Sequence, residues 1–275
     1  MTISPPLECA CAGDQFHRVH EYLAPPEGEI RFAFSEATGY RREVLRCDTC
    51  GHFVSRHDMN TSDMYSGEYV SATYGDDDGL RRNFERIIGL DPEKSDNTGR
   101  VQRVIDFAAG HFGRNAQPPS ILDVGSGLCV FLYRMKAAGW RCTALDPDPR
   151  SAAHARNTAG VDAYCGDFMQ APDWGCFDVI SFNKVLEHVA SPVAMLRKAA
   201  TNLAQKGFIY IELPDGEAAR SEGFGREEFF IDHPHIFSAA SFANLVERAG
   251  LKILTLERVR EPSTKFTLRG FAALI

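Results

Sequence analysis

The sequence predicts an α/β protein: a mostly parallel seven-stranded sheet that ends in an antiparallel hairpin, preceded by a small N-terminal module. From residue 120 onward, short apolar runs alternate with stretches of helical periodicity, which is the pattern of strands joined by crossover helices. The last two apolar runs have no helix between them. Four of the eight cysteines lie before residue 51, outside the alternating region, and they indicate the module.

Length and composition restrict the protein to ordinary globular classes. The chain has 275 residues, of which 44% are hydrophobic and 24% charged, and this excludes disordered, collagen-like and coiled-coil proteins. The net charge of −7 disfavours nucleic acid, because duplex binding needs a basic surface. We find no apolar run near the roughly 18 residues of a membrane span and no signal-peptide pattern at the start. We expect a cytoplasmic protein with no membrane or nucleic-acid partner, and leave open a homodimer.

The chain divides into three predicted parts. Residues 1–75 form the cysteine-bearing module, 76–99 a helical linker, and 100–275 the main domain. A module this small buries too little apolar surface to be secure alone, so we expect a metal or a docking partner to stabilise it. In the linker, Leu80–Leu90 has helical spacing and Asp91–Gly99 is a polar loop. Three tyrosines of the module could close over a ligand or pack between the parts: Tyr65, Tyr69 and Tyr74.

The elements of the main domain follow from local patterns. Helical spacing places an opening helix on Val101, Val104, Ile105 and Ala108. Apolar runs predict strands at Ile121–Val124, Cys142–Leu145, Val161–Cys165, Phe177–Phe182, Phe208–Ile211, Ile253–Val259 and Phe266–Leu274. Helices are predicted at Leu128–Ala138, Ser151–Thr158, Pro192–Leu203 and Ala239–Ala249, two of them ended by Gly139 and Gly250.

A glycine-containing turn, Asp123–Gly127, joins the first of these strands to the next helix. Ligands of such sheets lie at the carboxyl ends of strands, and glycine lets the backbone approach a ligand closely. Asp146 ends the second strand, where a carboxylate can accept both hydroxyls of a ribose. Val130 replaces the third glycine of the nicotinamide fingerprint. Asp123 would repel a pyrophosphate and suit a cationic ligand.

With these residues, the sequence resembles the class I S-adenosylmethionine (SAM)-dependent methyltransferases. Ile121–Gly127 looks like the family's first motif, Gly166–Phe168 like its adenine-flanking motif, and Phe177–Val189 like its fourth-strand motif. The resemblance covers roughly residues 100–275 and implies a Rossmann-like fold; Cys129 stands where the family often has a third glycine. It implies that SAM contacts Asp123, Gly125, Ser126, Gly127, Asp146, Pro147, Gly166, Asp167, Phe168 and Asn183.

Histidines near the expected pocket rim are candidates for a general base, because imidazole titrates in the right range. His188, preceded by Glu187, ranks first by the resemblance, and His233 follows; His233 and His235 would point the same way in an extended segment. The alternative is that these histidines only order their loops. Some quinone-pathway members bind a divalent ion through Glu-x-x-Glu-His, and here Lys184 occupies the first position. We therefore predict no catalytic magnesium.

The N-terminal cysteines have the spacing of metal ligands. Cys47 and Cys50 form a CxxC knuckle, and Cys9 and Cys11 a tighter pair. Residues 9–50 resemble a small zinc-binding domain of some sugar-modifying and natural-product methyltransferases, so we predict structural zinc on these four. Free thiols, or a module that has lost its metal, are the alternatives. His17 or His20 could replace one of the first pair. Four other cysteines are predicted to be buried apolar residues: Cys129, Cys142, Cys165 and Cys176.

The leading function is therefore a SAM-dependent methyltransferase that acts on a small polar molecule. The hydroxyl of a sugar, nucleotide-sugar or natural product is the expected acceptor, an expectation that depends on analogy with the appended module. One alternative is a SAM-binding protein that recruits a partner through zinc and catalyses nothing. Another is a nicotinamide-dependent sugar oxidoreductase or epimerase, which Val130, Asp123 and the lack of a Tyr-x-x-x-Lys pair disfavour.

Overall fold

The computed structural model describes residues 8–31, 39–59, 75–113, 117–170 and 175–275. Its strands are β1 Phe16–Tyr22, β2 Arg42–Cys47, β3 Phe53–Arg56, β4 Ser120–Val124, β5 Arg141–Asp146, β6 Asp162–Cys165, β7 Phe177–Asn183, β8 Leu203–Pro214, β9 His235–Ile236, β10 Leu251–Arg260 and β11 Phe266–Leu274. The α-helices of the described residues are α1 Asp77–Ile88, α2 Asp96–Phe112, α3 Val130–Ala137, α4 Pro149–Asn157, α5 Pro192–Thr201, α6 Gly216–Arg220 and α7 Ala239–Arg248. The tyrosines Tyr65, Tyr69 and Tyr74 lie outside the described residues.

The larger sheet confirms the predicted fold class. Its seven strands lie in the order β6-β5-β4-β7-β8-β11-β10. All neighbours from β6 to β8 are parallel, whereas β11 runs antiparallel to both β8 and β10. The predicted C-terminal hairpin is therefore present at one edge. No helix among the described residues is long and apolar enough to cross a bilayer.

Both faces of this sheet are covered, as a parallel sheet requires. Successive strand residues point to opposite faces, so Ile121 and Leu122 enter different cores. Ile121 packs with side chains of α2 and α3, and Leu122 with those of α5 and α7. The carboxyl ends of β4, β5 and β7 therefore meet on a rigid platform, where the predicted ligand turn lies.

Two linker boundaries differ from the prediction because polar side chains cap the helices earlier. The Asp76 carboxylate accepts a hydrogen bond from the Gly79 backbone N–H, so α1 begins inside the predicted turn at Asp77. The Ser95 hydroxyl accepts from the Thr98 backbone N–H, so α2 begins inside the predicted polar loop at Asp96.

The N-terminal strands form a second sheet that the main domain completes. Its order is β1-β2-β3-β9, and β9 comes from the segment between β8 and α7. Phe53 of β3 pairs with Ile236, and Val54 with His235. The cysteine-bearing region is thus joined to the main domain through backbone pairing, which the sequence did not reveal.

Candidate cofactor and acceptor site

The turn after β4 needs its two glycines for different reasons. Both have positive φ, +72° at Gly125 and +48° at Gly127, a region that other residues rarely adopt. A Cβ on Gly125 would come within 2.7 Å of Val185 Cγ2, whereas one on Gly127 would meet nothing within 4 Å. The first glycine is therefore required by packing, and the second leaves open space through which a ligand can reach the backbone.

Cys129 also has left-handed backbone, with φ 57°, at the N-cap of α3. Its side chain is fully buried among core residues, and burial raises the pKa of its thiol. The conformation fits a position where related proteins often have glycine, and the buried thiol is not a reactive group facing the turn.

Asp146 closes the turn from β5. Its Oδ2 accepts from the Gly127 backbone N–H at 2.8 Å and its Oδ1 from the Asp148 N–H at 2.9 Å. Burial raises the pKa of this carboxyl to about 6. A carboxylate oxygen accepts more than one hydrogen bond, so Asp146 can also accept the hydroxyls of a ribose.

Asp123 ties β4 to β7. Its Oδ1 accepts from the Ser181 hydroxyl and from Asn183 Nδ2, each at 2.7 Å, and burial raises its pKa to about 7. Ser126 Oγ and Asn183 Oδ1 are buried without a hydrogen-bond partner among the described residues. Buried polar groups are normally paired, so these two atoms are available to a ligand.

The three residues of the motif after β6, Gly166–Phe168, lie in different environments. The Gly166 N–H donates to the Asp146 carbonyl at 3.0 Å, which holds this turn beside the end of β5. Asp167 is exposed and caps Met169 N–H, and Pro147 is exposed. Phe168, predicted to contact SAM, is buried in the core, where its ring packs against Phe182.

Glu187, His188 and His233 come together from two distant segments. His188 and Asp232, the residue before His233, are 44 positions apart in the chain. One ligand atom of each lies within 4.8 Å of the other two. His188 Nδ1 lies 2.6 Å from the Asp232 carbonyl oxygen. A carbonyl only accepts, so Nδ1 carries the hydrogen and Nε2 is the basic nitrogen. Burial lowers the pKa of His188, which keeps the imidazole neutral.

Glu187 is fully buried, and neither of its carboxylate oxygens has a hydrogen-bond partner among the described residues. Burial raises its pKa to about 7. His235 is not part of this group: its Nδ1 lies 3.0 Å from His52 Nε2 in the second sheet. His233 and His235 would share a direction only in an extended segment, and the chain instead turns before β9, so that only His235 enters the sheet.

The four N-terminal cysteines converge. Sγ–Sγ distances are 3.4 Å for Cys9–Cys50, 3.5 Å for Cys9–Cys11 and 3.7 Å for Cys11–Cys47. A tetrahedral zinc ion with Zn–S bonds of about 2.3 Å separates its sulfurs by about 3.8 Å, so these residues fit the metal. The hydrogen bond between the Cys9 and Cys50 sulfurs lowers the pKa of Cys50 and raises that of Cys9.

Neither proposed substitute ligand joins the cluster. His17 Nδ1 lies 2.5 Å from Asp48 Oδ1, and His20 stacks on Phe224. The remaining cysteines were predicted to be buried, and this is wrong for Cys165 and Cys176, which are exposed. Cys165 ends β6 at the open edge of the sheet, and Cys176 precedes β7.

A buried charged network beside the histidines was missed by sequence reasoning, since its members are far apart in the chain. Arg100 of α2 forms two hydrogen bonds to the Glu212 carboxylate of β8. Arg269 of β11 lies 3.5 Å from Glu212 and 2.6 Å from Glu261. Burial would raise the pKa of Glu212, but Arg100, with smaller contributions from Lys184 and Arg269, holds it well below its usual range, so this carboxylate is ionised.

Comparison with known proteins agrees with this geometry. A family model described as a methyltransferase domain matches residues 94–256. Curated ubiquinone biosynthesis O-methyltransferases are similar to the chain. The protein from Methylobacterium nodulans is 27% identical over 155 residues, which are 52% of this chain and 59% of the relative. The one from Shewanella halifaxensis is 25% identical over 163 residues, 57% and 63%. The chain thus spans less than two thirds of these relatives.

Solved structures share the fold. The 1,6-didemethyltoxoflavin-N1-methyltransferase of Burkholderia thailandensis, solved with S-adenosylhomocysteine, has a TM-score of 0.54 at 18% identity and covers 89% of this chain and 98% of its own. The magnesium protoporphyrin IX methyltransferase of Synechocystis PCC 6803, also with S-adenosylhomocysteine, has a TM-score of 0.54 at 14% identity, covering 78% and 97%.

Proposed function

The chain belongs to the class I SAM-dependent methyltransferase family, and from this premise we propose that it transfers the methyl group of SAM to a hydroxyl of a small polar acceptor. A sugar, nucleotide-sugar or natural product is the proposed acceptor class. The observation that carries the proposal is the adjacency of two sites. The open glycine turn follows β4, and the Glu187–His188–His233 group follows β7, the strand beside β4.

In this proposal the turn residues hold the cofactor. SAM, when bound, supplies a methyl group already activated by a positive sulfur. Gly127 leaves room for the ligand against the backbone, Asp146 accepts its ribose hydroxyls, and the unpaired Ser126 hydroxyl and Asn183 carbonyl offer further polar contacts. The acidic surroundings, with Asp123 and Asp146 both buried, suit a cationic ligand and would repel a pyrophosphate.

His188 is the proposed base. Its Nδ1–H is directed to the Asp232 carbonyl, which fixes the ring and leaves Nε2 to accept the proton of the acceptor hydroxyl. Glu187 lies beside it, and its negative charge favours the imidazolium that forms. The fixed tautomer and the low pKa of the free imidazole together keep a neutral base available at neutral pH.

Two experiments test the function. Thermal shift of the full chain with SAM, S-adenosylhomocysteine and NAD separates SAM from nicotinamide enzymes, and a shift with NAD alone would sink the proposal. Transfer of labelled methyl from SAM to a small-metabolite extract then tests catalysis. A chain that binds SAM and methylates no extract fraction supports the non-catalytic alternative, in which SAM binding and a zinc module serve recruitment.

We also propose that Cys9, Cys11, Cys47 and Cys50 hold one structural zinc. Elemental analysis by ICP-MS should find one zinc per chain, lost when Cys47 and Cys50 are both changed to serine. Metal that persisted after Cys9 and Cys11 were changed as well would point to the second group, Glu187, His188 and His233, whose imidazole and carboxylate donors suit transition metals. The prediction of no catalytic magnesium is tested separately, by isothermal titration with Mg²⁺ coupled to activity.

A further inference from the structure

Three positively charged side chains, Arg100, Lys184 and Arg269, lie in a cluster around Glu212 and have no role in the chemistry described above. Lys184 follows β7 directly and has left-handed backbone, with φ 58°. Its Nζ lies 3.3 Å from the Thr267 hydroxyl at the start of β11, and its backbone N–H donates to the Glu212 carbonyl. Lys184 as a whole residue is half-buried, whereas its ammonium is shielded from water.

The carboxylates around Lys184 form their ion pairs with other cations. Glu212 is held by Arg100 and Arg269, and Glu261 is bound to Arg269. Among the described residues, Lys184 forms no ion pair with a carboxylate. The nearby Lys265, which adds further positive charge, is paired with Glu227.

The balance of charge is therefore positive. Arg100, Lys184 and Arg269 carry three positive charges, whereas two carboxylates, Glu212 and Glu261, form ion pairs within this group. The negative charge of Glu212 also acts on Lys184, from beyond ion-pair distance. An ammonium removed from water without an ionic partner is unfavourable, and burial accordingly lowers the pKa of Lys184. A left-handed lysine adds backbone strain of about 1 kcal/mol.

The position of the cluster separates it from the cofactor turn. Thr267 lies on β11, and Asp146 ends β5, four strands away in the order β11-β8-β7-β4-β5. At about 4.8 Å per strand, this is roughly 19 Å across the sheet. Lys184 lies three residues before Glu187 and on the side of β7 that faces β8 and β11. A group bound there would belong to the molecule presented to the histidines.

We propose that Lys184, whose ammonium is held by the buried Thr267 hydroxyl, binds an anionic oxygen group, a carboxylate or a phosphate, of the acceptor molecule. This inference rests on the proposed function and names the acceptor class: an acidic metabolite with a hydroxyl to be methylated. The anion supplies the missing counter-charge through a charge-assisted hydrogen bond to the ammonium, and this would orient the hydroxyl toward the histidine group.

The first test measures binding of simple anions, without any need for catalysis. The full chain is saturated with S-adenosylhomocysteine and titrated with sodium phosphate or sodium acetate against sodium chloride at equal ionic strength, and Tm is recorded. Phosphate or acetate should stabilise wild type, and Lys184→Gln should weaken that binding by about tenfold, the loss expected for one charge-assisted contact. The exposed Lys206→Gln is the matched control and should bind as wild type does.

Three results of this titration would overturn the proposal: no stabilisation of wild type beyond chloride, equal binding by Lys184→Gln, or a loss of S-adenosylhomocysteine affinity in Lys184→Gln, which would assign the lysine to the cofactor. If Lys184→Gln fails to fold, Thr267→Val removes one hydroxyl at constant shape. It should weaken anion binding by about threefold, since it removes a neutral hydrogen bond, and unchanged binding would overturn the proposal.

The second test separates metabolites of an extract by anion exchange before methylation with labelled SAM. Label should appear in the retained fraction, and Lys184→Gln should raise KM for that fraction by about tenfold with kcat little changed. Treating part of the extract with phosphatase before the anion exchange distinguishes phosphates from carboxylates, because only a phosphate acceptor loses its retention. Label in the unretained neutral fraction would refute the anionic acceptor while leaving the methyltransferase function intact, whereas label in no fraction would count against the function itself.

Discussion

The cofactor turn and the cysteine cluster are held in place by different means. Residues 123–129 are contiguous and lie between β4 and α3, on a sheet whose two faces are covered by large apolar clusters. The cysteines come from two segments, with Cys11 and Cys47 lying 36 positions apart in the chain, and their local core contains the cysteines themselves and Phe16. The first site depends on backbone geometry within a core, and the second on side-chain ligands that replace a core.

The two regions nevertheless share one segment. β3, which follows the Cys47–Cys50 knuckle, pairs with β9, two residues after His233. The Ser238 hydroxyl donates to the Cys50 carbonyl at 2.5 Å, and Arg248 donates to the Cys9 carbonyl at 2.9 Å. Loss of the cysteine cluster should therefore disturb the histidine group and leave the cofactor turn intact.

The largest expected effect separates chemistry from cofactor binding. His188→Gln should lower kcat by about 10²–10⁴-fold, the usual contribution of a general base, because Nε2 is lost. The affinity for SAM, measured by isothermal titration, should stay within about twofold of wild type. The exposed His111→Gln is the matched control and should retain full activity; equal kcat in both variants would remove His188 from the mechanism.

The next effect tests the link between the two regions. Cys50→Ser should release zinc and lower kcat by about tenfold, since β3 would no longer hold β9 and the displaced His233 segment loses alignment. SAM affinity should be unchanged, because the cofactor turn has its own core. Cys176→Ser, at an exposed cysteine outside the cluster, is the control. A loss of SAM affinity in Cys50→Ser that matches the loss of kcat would show that the regions are not separable.

A smaller effect should appear in the pH dependence of cofactor binding. Burial raises the pKa of Asp146 to about 6, so lowering the pH from 8 to 5 protonates it and removes the carboxylate that accepts hydroxyls. SAM affinity should fall several-fold, by about 1 kcal/mol. Asp146→Asn should bind more weakly at pH 8 and show a flatter profile. An equally steep profile in this variant would assign the titration to another group, such as Asp123.

The last effect concerns stability, with no change in activity needed to detect it. The pKa of Glu187 in the folded state, about 7, exceeds its unfolded value of about 4.3. The folded state therefore binds the proton more tightly, and stability is lost as pH rises from about 4.3 to 7. Glu187→Gln should raise the free energy of unfolding by about 1–2 kcal/mol at pH 8 and by less at pH 5, in urea denaturation. A variant less stable than wild type at pH 8 would reveal a partner for this carboxylate.

Much of the fold could be read from the sequence because its signals are local. Apolar runs marked the seven strands, and the lack of a helix after β10 indicated the hairpin. Boundaries failed where a side-chain cap competed with composition, as at Asp76 and Ser95. The cofactor turn was predictable because its residues are contiguous, whereas Phe168 shows that membership of a motif does not say which way a ring points.

The sequence by itself therefore determined the family, the succession of strands and helices along the chain, the glycine turn and the cysteine spacing. Each of these depends on neighbouring residues and on backbone preferences. Only the tertiary structure decided the rest. It paired β3 with β9, brought His233 to His188, left Cys165 and Cys176 exposed, and surrounded Lys184 with carboxylates that form their ion pairs with other cations. The physical reason is that burial and charge balance depend on contacts between segments far apart in the chain, which no local pattern records.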